Sequence, residues 1–173
     1  MPENKRLSMS ALNTLRICAE IEEECANIYW YFSGLFKHDL HAEAIWHKIA
    51  REEENHAAQF KLAINIKGTG MSSIAMDEGE AKSMLNKIRS IHDHVRNSPL
   101  SQTDALIIAI KAEEALSLYH VADIVDFSDK QLQELFISMK NADIEHTETL
   151  QREYNKLVSK SHPAAPKITQ VMD

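Results

Sequence analysis

Glycine and proline are scarce, with 4 of each in 173 residues. That excludes a turn-rich β-sandwich, a collagen-like repeat or a largely disordered chain, all of which consume those residues. Cysteine is scarcer still: Cys18 and Cys25 are the only two. They stand seven positions apart, about 10 Å along a helix axis and beyond bridging distance. There is thus no disulfide framework and no CxxC pair for zinc or redox work. Basic residues are the minority, 19 Lys plus Arg against 26 Asp plus Glu for a net charge of −7. With no basic stripe, a nucleic-acid partner is not expected. Long apolar runs are missing too. The longest, Ala105 to Ile110, is far too short to span a bilayer, and the N-terminal MPENKRLSMS carries charge without an apolar stretch behind it. The expectation is a soluble cytoplasmic protein with no membrane partner.

What is present is helical periodicity. From Ser10 to about Phe36, Leu12, Leu15, Ala19, Ala26, Tyr29 and Phe36 recur at steps of three, four or seven. Asp39 is a plausible N-cap for a second helix, in which Ala42, Ile45, Ile49, Ala57, Phe60 and Ile64 keep the period until Gly68 and Gly70 break it near Lys67. Residues 68–79 read as a loop, and Glu80 to Val95 as a shorter connecting helix. Ser101 with Asp104 resembles a capping box opening a third long helix that runs to about Asp126. Ser128 with Gln131 gives another, and Leu132, Phe136, Met139, Leu150 and Leu157 carry a last long helix to about Ser159. Helices of roughly 25 to 30 residues, each about 40 Å long, joined by a short first and a long second connection, describe an all-α four-helix bundle whose crossover carries a short extra helix. The bundle is expected over residues 1–160, followed by the aperiodic tail 161–173. No strand is expected to compete for the core.

The informative residues break the apolar stripes. Glu22 falls between Ala19 and Ala26, Glu53 and His56 between Ile49 and Phe60, and Asp143 and His146 between Met139 and Leu150. The third long helix offers Glu113 and Glu114, of which Glu114 shares a stripe with Ile107, Ile110, Val121 and Ile124. Ionised carboxylates pointing into an apolar interior cost many kcal/mol and need a compensating positive charge. A metal pair would supply it. Acid and His three apart lie on one helix face, and carboxylate with imidazole suits iron, manganese or zinc. Di-iron bundles use one Glu from each of two helices and Glu-x-x-His from each of the other two. With nine His and 26 acids in the chain, about 1.4 acid-x-x-His pairs arise by chance, so two pairs gain weight only from their place on inner faces. A weak internal duplication adds to this. Tyr29 to His56 and Tyr119 to His146 both span 27 residues, and a shift of 90 places Glu53 on Asp143 and Glu23, Glu24 on Glu113, Glu114. The same shift places Glu22 on Ala112, which leaves the third-helix ligand open between Glu113 and Glu114.

The segments EEECANIYWYF, EEENHAAQF and MKNADIEHTETL resemble the rubrerythrin-like branch of the ferritin-like superfamily, and the resemblance extends over nearly the whole helical length. It implies two iron ions, with Glu22 a terminal ligand, Glu53 a bridging ligand and His56 its imidazole partner. It also implies Glu114, five before Tyr119, as the third-helix ligand, with Asp143 and His146 completing the second half. Tyr29 and Tyr119 become candidate hydrogen-bond donors to ligand carboxylates, against plain core packing. Three features depart from the family: Asp143 stands where Glu is usual, Lys111 replaces an additional carboxylate, and no paired CxxC motifs follow the bundle. The expected activity is that of a di-iron oxidoreductase in which ferrous iron reacts with peroxide or dioxygen, serving peroxide stress or iron handling and fed by an external electron donor. The competing class is a non-catalytic metal-binding or interaction bundle with a degenerate site. Manganese and zinc remain open as alternative metals. Cys18 and Cys25 read as small buried hydrophobes, and His38, His41, His47, His92 and His94 as surface residues. Trp30 and Trp46, on stripes shifted from the ligands, suggest exposed aromatics and a homo-oligomer, dimer or larger.

Overall fold

The computed structural model describes residues 7–66, 69–118 and 121–161. Tyr119, residues 67–68, near which the second helix is expected to end, and residues 162–173 lie outside the described residues. The chain is mostly helical. Helix α1 spans Met9–Leu35 and α2 Leu40–Asn65, followed by strand β1 at Met71–Ile74 and helix α3 at Glu78–Asn97. Helix α4 is Gln102–Ser117, α5 is the single turn Val121–Ile124, β2 is Val125–Phe127 and α6 is Lys130–Ser161.

Short polar side chains start these helices by accepting bonds from otherwise unpaired first-turn amides. Ser8 caps α1 and Asp39 caps α2. Asp77 with Glu80 and Ser101 with Asp104 close reciprocal capping boxes on α3 and α4. At α6 the expected Ser128–Gln131 box does not form. Asp129 takes the role instead, its Oδ1 accepting from the Leu132 amide at 3.0 Å, while the Ser128 and Asp129 amides both donate to the Gly70 carbonyl.

The short turn at 36–39 makes α1 and α2 antiparallel neighbours. Tyr29 stacks on Trp46 with ring centroids 5.9 Å apart, and Lys61 pairs with Glu23 further along. Helix α2 also meets α6 antiparallel, through Lys48 with Glu145 and Phe60 with Phe136. Helix α4 packs along α6, and α3 along α1. Trp46, Tyr29, Phe32, Phe60 and Phe136 are all fully buried, each contributing about 1.5–3 kcal/mol. Trp46 therefore belongs to the core and is no surface aromatic. Trp30 is half-buried, its indole N–H donating to Glu54 at 2.9 Å.

The third long helix is shorter than expected, ending at Ser117 with Leu118 as its cap. The residues read as its continuation form α5 and β2, and β2 pairs antiparallel with β1 (Met71 with Phe127, Ile74 with Val125). A small sheet thus forms where no strand is expected, since strands of four and three residues are too short to display alternation. Gly70 makes the junction. It adopts φ 91°, and a Cβ there would come 2.6 Å from the Asp129 Cβ, so only glycine fits both the backbone and the space. The sheet ties the start of α6 to the crossover and brings Met76 against the centre of the molecule. Among the described residues no helix is long and apolar enough to cross a membrane.

Candidate metal centre

On α2 the residues Ala42, Trp46, Ile49, Glu53, His56, Phe60 and Ala63 alternate steps of four and three, and every one is buried. On α6 the same alternation runs through Leu132, Phe136, Met139, Asp143, His146, Leu150 and Glu153, buried throughout except for the half-buried Asp143. A repeat of 3.5 residues keeps one seam facing a neighbouring helix over many turns. Both acid-x-x-His pairs are therefore inside because of where their helices point them. Glu22 comes in on α1 between Ala19 and Ala26, and Glu113 on α4.

Glu53 stands between the two imidazoles. Its Oε2 is 3.4 Å from His56 Nδ1, and its Oε1 is 3.0 Å from His146 Nδ1. His56 Nδ1 also faces Asp143 Oδ1 at 3.2 Å and Glu22 Oε2 at 3.8 Å. Two groups could each hold a metal ion, their ligand atoms lying within 4.8 Å of one another: Glu22, Glu53 and His56, and Glu53, Glu113 and His146. Glu53 belongs to both. Three buried atoms here, Glu53 Oε1, His56 Nδ1 and His146 Nδ1, have no hydrogen-bond partner of acceptable geometry. Buried polar atoms are nearly always paired, so orphans facing one another from a carboxylate and two imidazoles form the donor set that a divalent transition metal takes.

The electrostatics agree. Burial, reinforced by the Glu53 charge, holds Glu22 well above the usual carboxylate range and pushes Glu113 up to about 8. Burial would raise Glu53 too, but its contacts with His146 and His56 outweigh that and keep it low. Burial works against a charged His146, yet the contact and charge of Glu53 win and raise it to about 10, and His56 rises in the same way. Protons on Glu22, Glu113 and both imidazoles thus compensate the centre, and a bound cation would displace them.

Supporting residues fix the geometry. Tyr29 donates its hydroxyl to Glu113 Oε1 at 2.5 Å, the carboxylate contact expected of it. Glu52, which sequence reasoning passed over inside the run EEENH, lies 2.7 Å from His146 Nε2 and leaves Nδ1 turned inward. Such outer partners orient ligands and are worth about 10- to 100-fold in metal affinity. Tyr29→Phe and Glu52→Gln are therefore each expected to weaken metal binding by about that factor, with helix content unchanged by circular dichroism.

Of the two third-helix candidates, the structure brings in Glu113 and leaves Glu114 exposed. The stripe through Val121 and Ile124 that favoured Glu114 assumed an unbroken helix, which α4 is not. Its buried positions Leu106, Ile110 and Glu113 set the true phase. Lys111 is exposed. Cys18 and Cys25 are buried free cysteines, the Cys18 thiol pushed up to about 12 by burial and Cys25 well above the ordinary thiol value. Two histidines read as plain surface residues make hydrogen-bond contacts to acids on other helices: His92 Nδ1 lies 2.7 Å from Glu24 on α1, and His41 Nε2 lies 2.9 Å from the buried Glu153 on α6. Glu153 also went unnoticed, although it lies three residues past Leu150 on the same stripe.

A cavity of about 40 Å³ adjoins the centre, lined by Glu22, Glu53, Glu113 and Asp143 together with apolar residues such as Ile21, Phe60 and Leu116. No protein-family model matches the chain, no curated protein matches its sequence and no solved structure matches its fold.

Proposed function

We propose that this chain is a rubrerythrin-like di-iron carboxylate protein, a ferritin-like four-helix bundle formed by α1, α2, α4 and α6, that reduces peroxide with electrons from ferrous iron. The observation that carries the reading is Glu53, whose two oxygens face two different imidazoles in a buried centre where His56 Nδ1 and His146 Nδ1 have no hydrogen-bond partner. Glu22 and His56 would complete one site, Glu113 and His146 the other, with Asp143 beside His56. Two ferrous ions held there would supply one electron each, and reduction of a peroxide to two waters consumes two electrons and two protons. The protein's own part is positional. Tyr29 and Glu52 fix Glu113 and His146, and the cavity leaves room for about three water-sized molecules. That is enough for peroxide or dioxygen and too little for a ring-sized substrate. An external electron donor and homo-oligomeric assembly belong to the same proposal and rest mainly on the resemblance, and a cytoplasmic location rests on the composition.

The test is to load the protein with ferrous iron and mix it with peroxide or with dioxygen, following near-ultraviolet absorbance. Peroxide is expected to oxidise the iron faster. Faster oxidation by dioxygen, with iron accumulating beyond two per chain, would replace this reading with a ferroxidase or storage role. The non-catalytic alternative draws on Asp143, one methylene shorter than glutamate and less buried than the other acid-x-x-His acid, Glu53. It predicts metal binding with no spectral response to either oxidant.

A further inference from the structure

The cavity beside the centre has walls unlike the rest of the core. Four of its eleven lining residues carry sulfur, namely Cys18, Met76, Met84 and Met139, in a chain with only 7 Met and 2 Cys among 173 residues. They converge from separate parts of the fold: α1, the bend between β1 and α3, α3 itself, and α6. The same cavity is lined by Glu22, Glu53, Glu113 and Asp143, the acids of the candidate metal centre. All four sulfur residues are at most 6% exposed, so oxidant reaches them through the cavity rather than from the outer surface. An oxidant that has entered the cavity meets both the sulfurs and the candidate metal ligands.

We propose that Met76, Met84 and Met139 are oxidation sites, intercepting peroxide that enters the cavity without being reduced by iron and becoming methionine sulfoxide. The inference rests on the peroxide reading above. In the step, a thioether sulfur takes one peroxide oxygen as the O–O bond breaks. Sulfur gives up two electrons to form the S–O bond, and the other oxygen leaves as water with both protons. No further co-reactant is needed, and methionine sulfoxide is enzymatically reversible, so the wall can be renewed. Cys18 shares the cavity, but burial keeps its thiol protonated, the less reactive form towards peroxide. The thioethers need no such ionisation. Their interception spares the oxidisable groups closest to the ligands, the Tyr29 ring and the Cys25 thiol.

Methionine also fills irregular gaps in cores, and that packing role makes a different prediction: oxidation would simply follow exposure. Met9 is 66% exposed, whereas Met71 is fully buried and does not line the cavity. These two serve as internal references. Protein loaded with ferrous iron, and the same protein free of metal, receive equal doses of hydrogen peroxide. Absorbance is followed in the near-ultraviolet, and sulfoxide is mapped at each methionine by peptide mass spectrometry. In both forms Met76, Met84 and Met139 are expected to oxidise at least as fast as Met9 and about tenfold faster than the buried Met71, the metal-free protein leading because no iron consumes the peroxide first. A variant with all three changed to Leu, nearly conserving volume, is expected to bind the same iron but to acquire oxidation at Tyr29 and Cys25 over repeated doses. If iron responds to peroxide while Met9 alone is oxidised, the inference is overturned and the proposed function stands. If the loaded protein shows no spectral response and no cavity sulfoxide, both fall.

Discussion

Replacing Glu53 by Ala is expected to empty the whole metal centre, whereas His56→Ala should leave about half of the metal in place. The difference follows from membership. Glu53 belongs to both groups of potential ligands, its two oxygens facing His56 and His146 separately. Its loss strips a ligand from each group and leaves three at neither. His56 serves one group, so its truncation leaves Glu53, Glu113 and His146 intact. After loading with ferrous iron, elemental analysis should therefore read about two metals per chain in the parent, about one in His56→Ala and close to none in Glu53→Ala. His146→Ala should mirror His56→Ala and retain the other ion. Glu53→Ala relieves repulsion on Glu22 and Glu113 but also removes the partner of both imidazoles, so helix content is read by circular dichroism beside the metal count, and Glu53→Gln, which keeps the side-chain volume, serves as the second variant. If His56→Ala retains the full complement, His56 lies outside the centre; if it loses everything, the two groups do not act as separate sites.

The inner faces of α2 and α6 are legible in the sequence because both helices are long and uninterrupted. Seven consecutive seam positions on each repeat at steps of three and four, so a polar residue that lands on the seam announces itself. Glu53, His56, Asp143 and His146 were all readable in this way, as was Glu22 on α1. The placement of a ligand on α4 was not, for a physical reason. Val121, Ile124 and Val125 continue the apolar composition of α4 while taking part in a turn of helix and a strand. Composition carries no mark of the break, since the pairing of β2 with β1 is made across more than fifty residues of chain. Reading the whole stretch as one helix moved the stripe by one residue, from Glu113 to Glu114. Glu52 was hidden differently: it stands off the α2 seam and makes its contact across to His146 on α6, and such a partner leaves no periodic trace on its own helix. Glu153 was legible, three residues past Leu150 on the α6 seam, where it meets His41. Trp46 was misjudged by reading its stripe as shifted from the ligands, although it stands seven residues before Glu53, two turns along the same seam.

The second large effect is expected in thermal stability, and its dependence on pH distinguishes a metal centre from a buried cluster of acids. A ligand present at a thousand times its dissociation constant stabilises the folded state by about 4 kcal/mol. For a chain of this size each kcal/mol moves the melting midpoint by roughly 2–4 °C, so one tightly held ion should raise it by roughly 8–16 °C and two ions by more. The metal-free protein should itself lose stability as pH rises. Glu113 is pushed up to about 8 in the folded state, so between the ordinary carboxylate range and pH 8 the folded chain binds the extra proton and stability falls with pH. His146, raised to about 10, acts in the same direction between the ordinary imidazole value and pH 10: its stabilisation is complete at low pH and is lost as pH climbs through that range. In the metal-loaded protein those protons have been displaced, and the same rise in pH removes the competitor for the ligands and tightens binding. The gap between the two midpoints should therefore widen from pH 6 to pH 8, and calorimetry in buffers of different ionisation enthalpy should record proton release on metal binding. Equal midpoints with and without metal at both pH values would mean that the acids are solvated and that Glu53 does not bind a cation. A gap that narrows with pH would mean that the displaced protons are not those on Glu113 and His146.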